Sequence, residues 1–140
     1  MTEGFSAEER AAVKARAQEL KNAGRGKDKD EAALLAAIAE MGEPDRALAE
    51  RVHAIVTAAA PELAPKTWYG QPAYARPGKG GKVVCFFRSG LKDKERYSSL
   101  GFTAEANLDE DGFWPTSYAV TELSEDAEAA LFQLVKRAVS

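Results

Sequence analysis

The sequence predicts an α+β domain: N-terminal helices, an antiparallel four- to five-stranded sheet, and a C-terminal helix packed on the sheet. Three observations lead there. Up to Pro61 the apolar residues recur every three or four positions, as one buried helix face requires. From Lys66 to Leu123 the period falls to two, and β-branched and aromatic residues alternate between turn-formers. From Ser124 the helical period returns, so strands are bracketed by helices.

Ser6 and Glu9 form a capping-box pair, which predicts a first helix over residues 7–23. Its stripe of Val13, Ala17 and Leu20 is thin, so it belongs on the surface. "GRGKDKD" at 24–30 offers turn-formers and charges without an apolar anchor, and reads as a flexible linker. The chain thus divides into residues 1–29, a surface helix and linker, and residues 30–140, the α+β domain. A second helix starts near residue 30 or 31 and presents Leu34, Leu35, Ile38 and Met41. Pro44 suits the first turn of a third, whose Leu48, Val52, Ile55, Val56 and Ala59 share a face. These two helices are expected to pack as a hairpin.

Strand signals follow at "KTWY" and "PAYA" on either side of Gly70, then at 82–88, 95–102 and 117–123. Pro72 suggests an edge strand, since it cannot donate to a central ladder. Within 82–88, alternation places Val83, Cys85 and Phe87 on one face and Val84, Phe86 and Arg88 on the other. Apolar residues on both faces imply a strand covered on both sides. Ser124 caps the last helix, with Glu125, Asp126 and Glu128 in its first turn and Lys136 and Arg137 near its end, the signs that suit the helix dipole.

The apolar runs are far short of the roughly 20 residues that cross a bilayer. Residues 1–24 carry charge throughout, unlike a secretory signal. The single cysteine, Cys85, has no internal disulfide partner. Together these predict a cytoplasmic location. The net charge of -3 hides a segregation. Lys66 to Arg96 holds eight basic residues and two acids, net +6; Gly101 to Glu128 holds eight acids and no lysine or arginine, net -8. Mutual attraction or solubility is the simplest use of such a pattern. The overall acidity disfavours nucleic acid as a partner.

No catalytic constellation stands out, and the reading is of a protein that is not an enzyme. "ARPGKGGK" at 75–82 lacks the Ser or Thr and the helix that a phosphate loop needs after its lysine, so hairpin chemistry explains it better. Asn107, Asp109 and Asp111 alternate like the start of a calcium loop, but Tyr118 stands at the closing position. What remains is four carboxylates, Glu105, Asp109, Glu110 and Asp111, within seven residues, a donor type that hard cations prefer and more simply a solvated loop. His53, the only histidine, reads as a boundary residue of its helix. Trp68, Tyr69, Tyr74, Tyr97 and Trp114, with Arg88 among the basic residues on the strands, form either core or an aromatic-lined pocket for an anionic or planar ligand.

"APELAPKTWYGQPAY", "KVVCFFR", "RYSSLGFT", "ANLDEDGFWPTSYAVTEL" and the closing "LVKRAVS" together resemble the YdhG-like family of small bacterial domains over roughly residues 30–140. The Tyr69-Gly70-Gln71-Pro72-Ala73-Tyr74 stretch carries the resemblance most strongly. The family is described as lacking an assigned function, with one member described as a frataxin-like iron chaperone. The resemblance therefore implies iron as cargo, iron-accepting proteins as partners, and Glu105, Asp109, Glu110 and Asp111 as the positions that could serve. Two other readings stand beside it: a small-molecule binding module using the aromatic pocket, and a protein-interaction domain using a charged face.

Overall fold

The computed structural model describes residues 26–78 and 80–140. The helix expected over 7–23 and the first two residues of the expected linker lie outside the described residues. The rest of that linker is helical. Gly26–Ala39 forms one helix, α1, so the charged run extends the helix expected from residue 30 instead of preceding it. Lysine, aspartate, glutamate and alanine all tolerate helix, and the alanine-rich stretch behind them supplies the propensity that one glycine opposes.

Asp45–Ala59 forms α2, and Glu125–Val139 forms α3. Between them run β1 (Ala64–Trp68), β2 (Gln71–Ala75), β3 (Val83–Arg88), β4 (Ser98–Phe102) and β5 (Ser117–Val120), an antiparallel meander in the order β1-β2-β3-β4-β5. The fold is the α+β arrangement expected from the sequence. Ser124 caps α3 as expected, its Oγ accepting from the Ala127 amide at 3.1 Å. α1 and α2 do not form the expected packed hairpin. α1 lies chiefly along β1 and β2, and α2 chiefly beside α3. The reason is the width of the apolar stripe on α1: Leu34 and Ile38 are buried against the core, whereas Leu35 is 48% exposed.

The sheet corrects three expectations. Tyr69 and Gly70 belong to neither strand; both take left-handed conformations, with φ of 56° and 76°, and make the two-residue turn that matches strand twist. The turn leaves the Trp68 and Tyr69 ring centroids 5.0 Å apart. Pro72 sits in the second strand of the order and not at an edge. With Trp68 and Gln71 flanking the turn as a hydrogen-bonded pair, the nitrogen of Pro72 points away from β1, and the β3 ladder starts only at Ala73. Finally, Tyr74 pairs with Cys85 but Ala75 with Val83, which leaves Val84 as the extra residue of a bulge. Val83 accordingly joins Ala73, Ala75, Trp68 and Phe86 on the outer face, while Val84, Cys85 and Phe87 enter the main core.

Among the described residues that outer face is covered by its own rings. Trp68 and Phe86 meet edge to face at 5.2 Å, and the Phe86 ring occupies the space a Cβ at Gly101 would fill. Small residues beneath large ones make the closure possible. The inner face carries the main core, in which Tyr74, Phe87 and Leu100 meet Val52 and Val56 of α2 and Leu131 and Val135 of α3.

One polar network crosses this core. His53 Nδ1 lies 3.0 Å from the Tyr74 hydroxyl, and His53 Nε2 lies 3.6 Å from a carboxylate oxygen of Glu31. Burial raises the Tyr74 phenol far above its ordinary value, so it stays protonated and donates to Nδ1, leaving Nε2–H to face Glu31. Burial also pushes the Cys85 thiol, opposite Tyr74, up to about 12, which keeps it unreactive. The His53 pKa is lowered by burial, and Glu31 offsets only part of that.

A depressed histidine pKa means that the unfolded chain binds the proton more tightly. The contribution of His53 is thus fully present above the ordinary value of 6.5 and is lost as pH falls below it, until the folded-state pKa is reached. Urea unfolding between pH 7.5 and 5 is expected to show this slope, and His53→Gln is expected to flatten that part of it. At pH 7.5, Tyr74→Phe is expected to lower stability by about 1 kcal/mol, the cost of one buried hydrogen bond.

Candidate functional site

A concavity of about 660 Å³ opens where three connections meet. The end of α1 supplies Glu40, Met41 and Gly42, the β1–β2 turn supplies Tyr69, Gly70 and Gln71, and the end of β3 with the segment after it supplies Arg88, Ser89, Leu91, Lys92 and Asp93. That volume falls within the range of small-molecule sites. The segment after β3 spans the cleft: Leu91 Cδ1 lies 3.8 Å from where a Cβ at Gly42 would be, and Lys92 Nζ lies 3.5 Å from the same point at Gly70. One wall is therefore aliphatic and the other carries an ammonium group over a bare turn.

Asp45 holds that segment in place. It is the first residue of α2, nearly fully buried, and its Oδ2 accepts from the Ser89 hydroxyl at 2.5 Å and the Leu91 amide at 2.9 Å. Position in a helix first turn suits its charge. Behind it, Ser98 Oγ accepts the Gly90 amide at 3.0 Å, and a Cβ at Gly90 would overlap the Tyr97 carbonyl, so glycine is required there by the close approach of two backbones.

The polar inventory of the cleft is uneven. Arg88 is saturated by Asp93 and Glu95, each at 2.5 Å, and these partners hold its guanidinium above its ordinary pKa. Lys92 makes no ion pair among the described residues. Gln71 spends its side-chain amide on the Trp68 carbonyl at 3.3 Å, while its Oε1 is buried without a hydrogen-bond partner among the described residues. A buried acceptor left unpaired is costly and asks for a donor. Tyr69 is 81% exposed at the rim, in a conformation that asparagine or glycine would adopt at lower cost.

Of the six residues expected to line one aromatic pocket, only Tyr69 and Arg88 reach this cleft. Trp68 lies on the outer face of the sheet, Tyr74 is in the core bonded to His53, and Tyr97 borders a separate hollow of about 120 Å³ beside Asp45 and Leu48. Trp114 is 40% exposed in the segment before β5. A single pocket lined by all six does not form, because strand alternation sends Trp68 and Tyr74 to opposite sides. The acidic positions are also divided. Asp109, Glu110 and Asp111 are exposed, whereas Glu105 is half-buried beyond the anchors Ala106 and Leu108. The Glu105 carbonyl accepts from Arg76 at 2.9 Å, and Asn107 is tied to the end of α3. Among the described residues, no group of three or more His, Cys, Asp or Glu side chains is placed to hold a metal ion. No described helix is long and apolar enough to cross a membrane.

Sequence reasoning missed Lys92, Leu91 and Asp45, and took Gln71 only as part of a motif. Asp45 directly after Pro44 carries a legible helix-start signal; nothing in the spacing reveals that Ser89 and Leu91 return to it. Replacing Asp45 by alanine would leave a hydroxyl and an amide unpaired, so Asp45→Ala is expected to cost about 2–3 kcal/mol and to speed exchange at the Leu91 amide. Denaturant titration and hydrogen exchange read the two effects.

Compared with family models, curated proteins and solved structures, the chain matches none of them.

Proposed function

We propose that this chain is a binding domain for a small anionic molecule bearing a planar ring and a hydrogen-bond donor, held in the cleft between the end of α1, the β1–β2 turn and the segment after β3. The observation that carries the reading is a cleft lined by Lys92 and by Gln71, whose Oε1 is buried and unpartnered among the described residues. The acceptor would take the ligand's donor, Lys92 its anion, and the exposed Tyr69 ring its planar face. Arg88 would serve as a wall, because both of its carboxylate partners would have to be displaced before it could turn to a ligand.

The exposure and backbone of Tyr69 support the same reading. A tyrosine in a left-handed turn position, with its ring in solvent, is maintained against local preference, and such residues concentrate where function requires them. Iron delivery, implied by the family resemblance, would fall to Glu105, Asp109, Glu110 and Asp111. No contact of those residues singles them out as a site, so the cleft is the better-supported centre.

The test is a set of NMR titrations with benzoate, indole-3-carboxylate and pyridoxal phosphate as probes. A ring-bearing anion is expected to shift the Gln71 side-chain amide and the Gly70 and Lys92 backbone amides together. If none of the probes moves these signals, the reading fails. Lys92→Glu is expected to weaken binding by tenfold or more, about 1.4 kcal/mol. Tyr69→Asn is expected to separate function from stability: it should raise the unfolding free energy by about 0.5–1 kcal/mol, since asparagine suits the turn, while weakening the ligand.

A further inference from the structure

The two edges of the sheet are finished differently. β1 carries Pro65 and Lys66, both of which discourage strand pairing, and α1 lies along it. β5, at the other end, reads Ser117-Tyr118-Ala119-Val120, with no proline, no charge and no partner strand on its far side among the described residues. Its first three residues are exposed. The register identifies the free groups. Phe102 N–H donates to the Thr116 carbonyl at 2.8 Å, so Leu100–Tyr118 and Ser98–Val120 are the hydrogen-bonded pairs, and Ser117 and Ala119 point their N–H and C=O groups outward.

A groove of about 380 Å³ lies beside this edge, between β5 and α3. Tyr118 forms one side, Leu123, Ala127, Ala130 and Leu134 form the other, and Glu122 and Arg137 add one charge of each sign to the lining. Tyr118 pairs with Leu100, an inner-face residue, and its ring meets Phe102 edge to face, so the groove is on the helix side of the sheet. A strand added to β5 would drop every second side chain into it. Charge then selects the occupant. Asp109, Glu110 and Asp111 precede the strand and Glu122, Glu125 and Asp126 follow it, within a stretch that has no lysine or arginine from Gly101 to Glu128. A second copy docked edge to edge would bring two such acidic stretches together, at an electrostatic cost that a basic chain avoids.

We propose that the β5 edge takes an extended basic peptide segment of a partner protein by strand addition, its alternate apolar side chains filling the groove against α3 and its lysines or arginines facing the flanking acids. The site is separate from the cleft, which adjoins the β1–β2 turn at the other end of the sheet order.

Fluorescence anisotropy on the full chain tests this with a dye-labelled octapeptide of alternating lysine and valine. The peptide is expected to bind, to shift the Ser117 and Ala119 amides in NMR spectra, and to bind more weakly as salt rises. The same peptide N-methylated on alternate amides keeps its charge but cannot form the ladder, and is expected to bind about tenfold or more weakly. Ala119→Pro removes an outward N–H without breaking a bond to β4, and is expected to weaken the parent peptide similarly. Should that variant fail to fold, the methylated probe decides alone. Equal binding of the methylated peptide, or of an alternating glutamate–valine peptide, overturns the proposal. So does a dimer in sedimentation velocity that Ala119→Pro dissolves, which would assign the edge to a second copy.

Discussion

The carboxylate of Asp45 is the constraint on which the cleft depends. The segment after β3 has no regular structure of its own, and the two bonds that Asp45 Oδ2 accepts from Ser89 and Leu91 tie it to α2. From that fixed point Leu91 reaches Gly42 and Lys92 reaches Gly70, so the two walls of the cleft are set by one buried group. A carboxylate is suited to the task because one oxygen takes both donors and the helix start offsets part of its charge. An apolar residue of the same size would fill the space and leave the segment free to move, since burial alone has no direction.

His53 plays the matching part further along α2. Its bond to Tyr74 fixes the helix against β2, and its second nitrogen faces Glu31 on α1. Asp45 and His53 lie on the same helix, with the buried Leu48 and Val52 between them. Aliphatic side chains tolerate small slides and rotations of a helix, whereas two directional contacts at separate points permit only one placement. α2 is therefore the element that ties the sheet, α1 and the segment after β3 into one geometry.

Much of the fold is legible in the sequence because it rests on periodicity. The change from a helical to a two-residue period at Lys66, the cap at Ser124 and the break at Gly70 are local signals, and each marks a real boundary, although Tyr69 joins Gly70 in the turn. What escapes are features set by distant partners. The bulge at Val84 reverses the facing of Val83, and it is visible only once β2 is laid beside β3. The extension of α1 back to Gly26 shows a charged run overriding a glycine. The candidate site is less legible still. Tyr69 could be named as an aromatic of interest, but Gln71, Lys92 and Asp45 matter through an unpaired oxygen, a bare turn and a buried ion, none of which is a property of spacing.

The segregated charge acquires a structural meaning once the strand order is known. Because the sheet is a simple meander, position in sequence is position across the sheet, and the basic and acidic segments fall at opposite sides of it. The basic segment contains the β1–β2 turn and the loop after β3 and gives the cleft Arg88 and Lys92, beside which Glu40 and Asp93 also line it. The acidic segment contains β5 and the start of α3, and it leaves the open edge where cations are favoured. The two segments adjoin where β3 meets β4 and Arg76 donates to the Glu105 carbonyl, and elsewhere screening over about 8–10 Å at ordinary ionic strength limits their attraction. The acidic field around β5 therefore acts mainly on what approaches that edge from solvent.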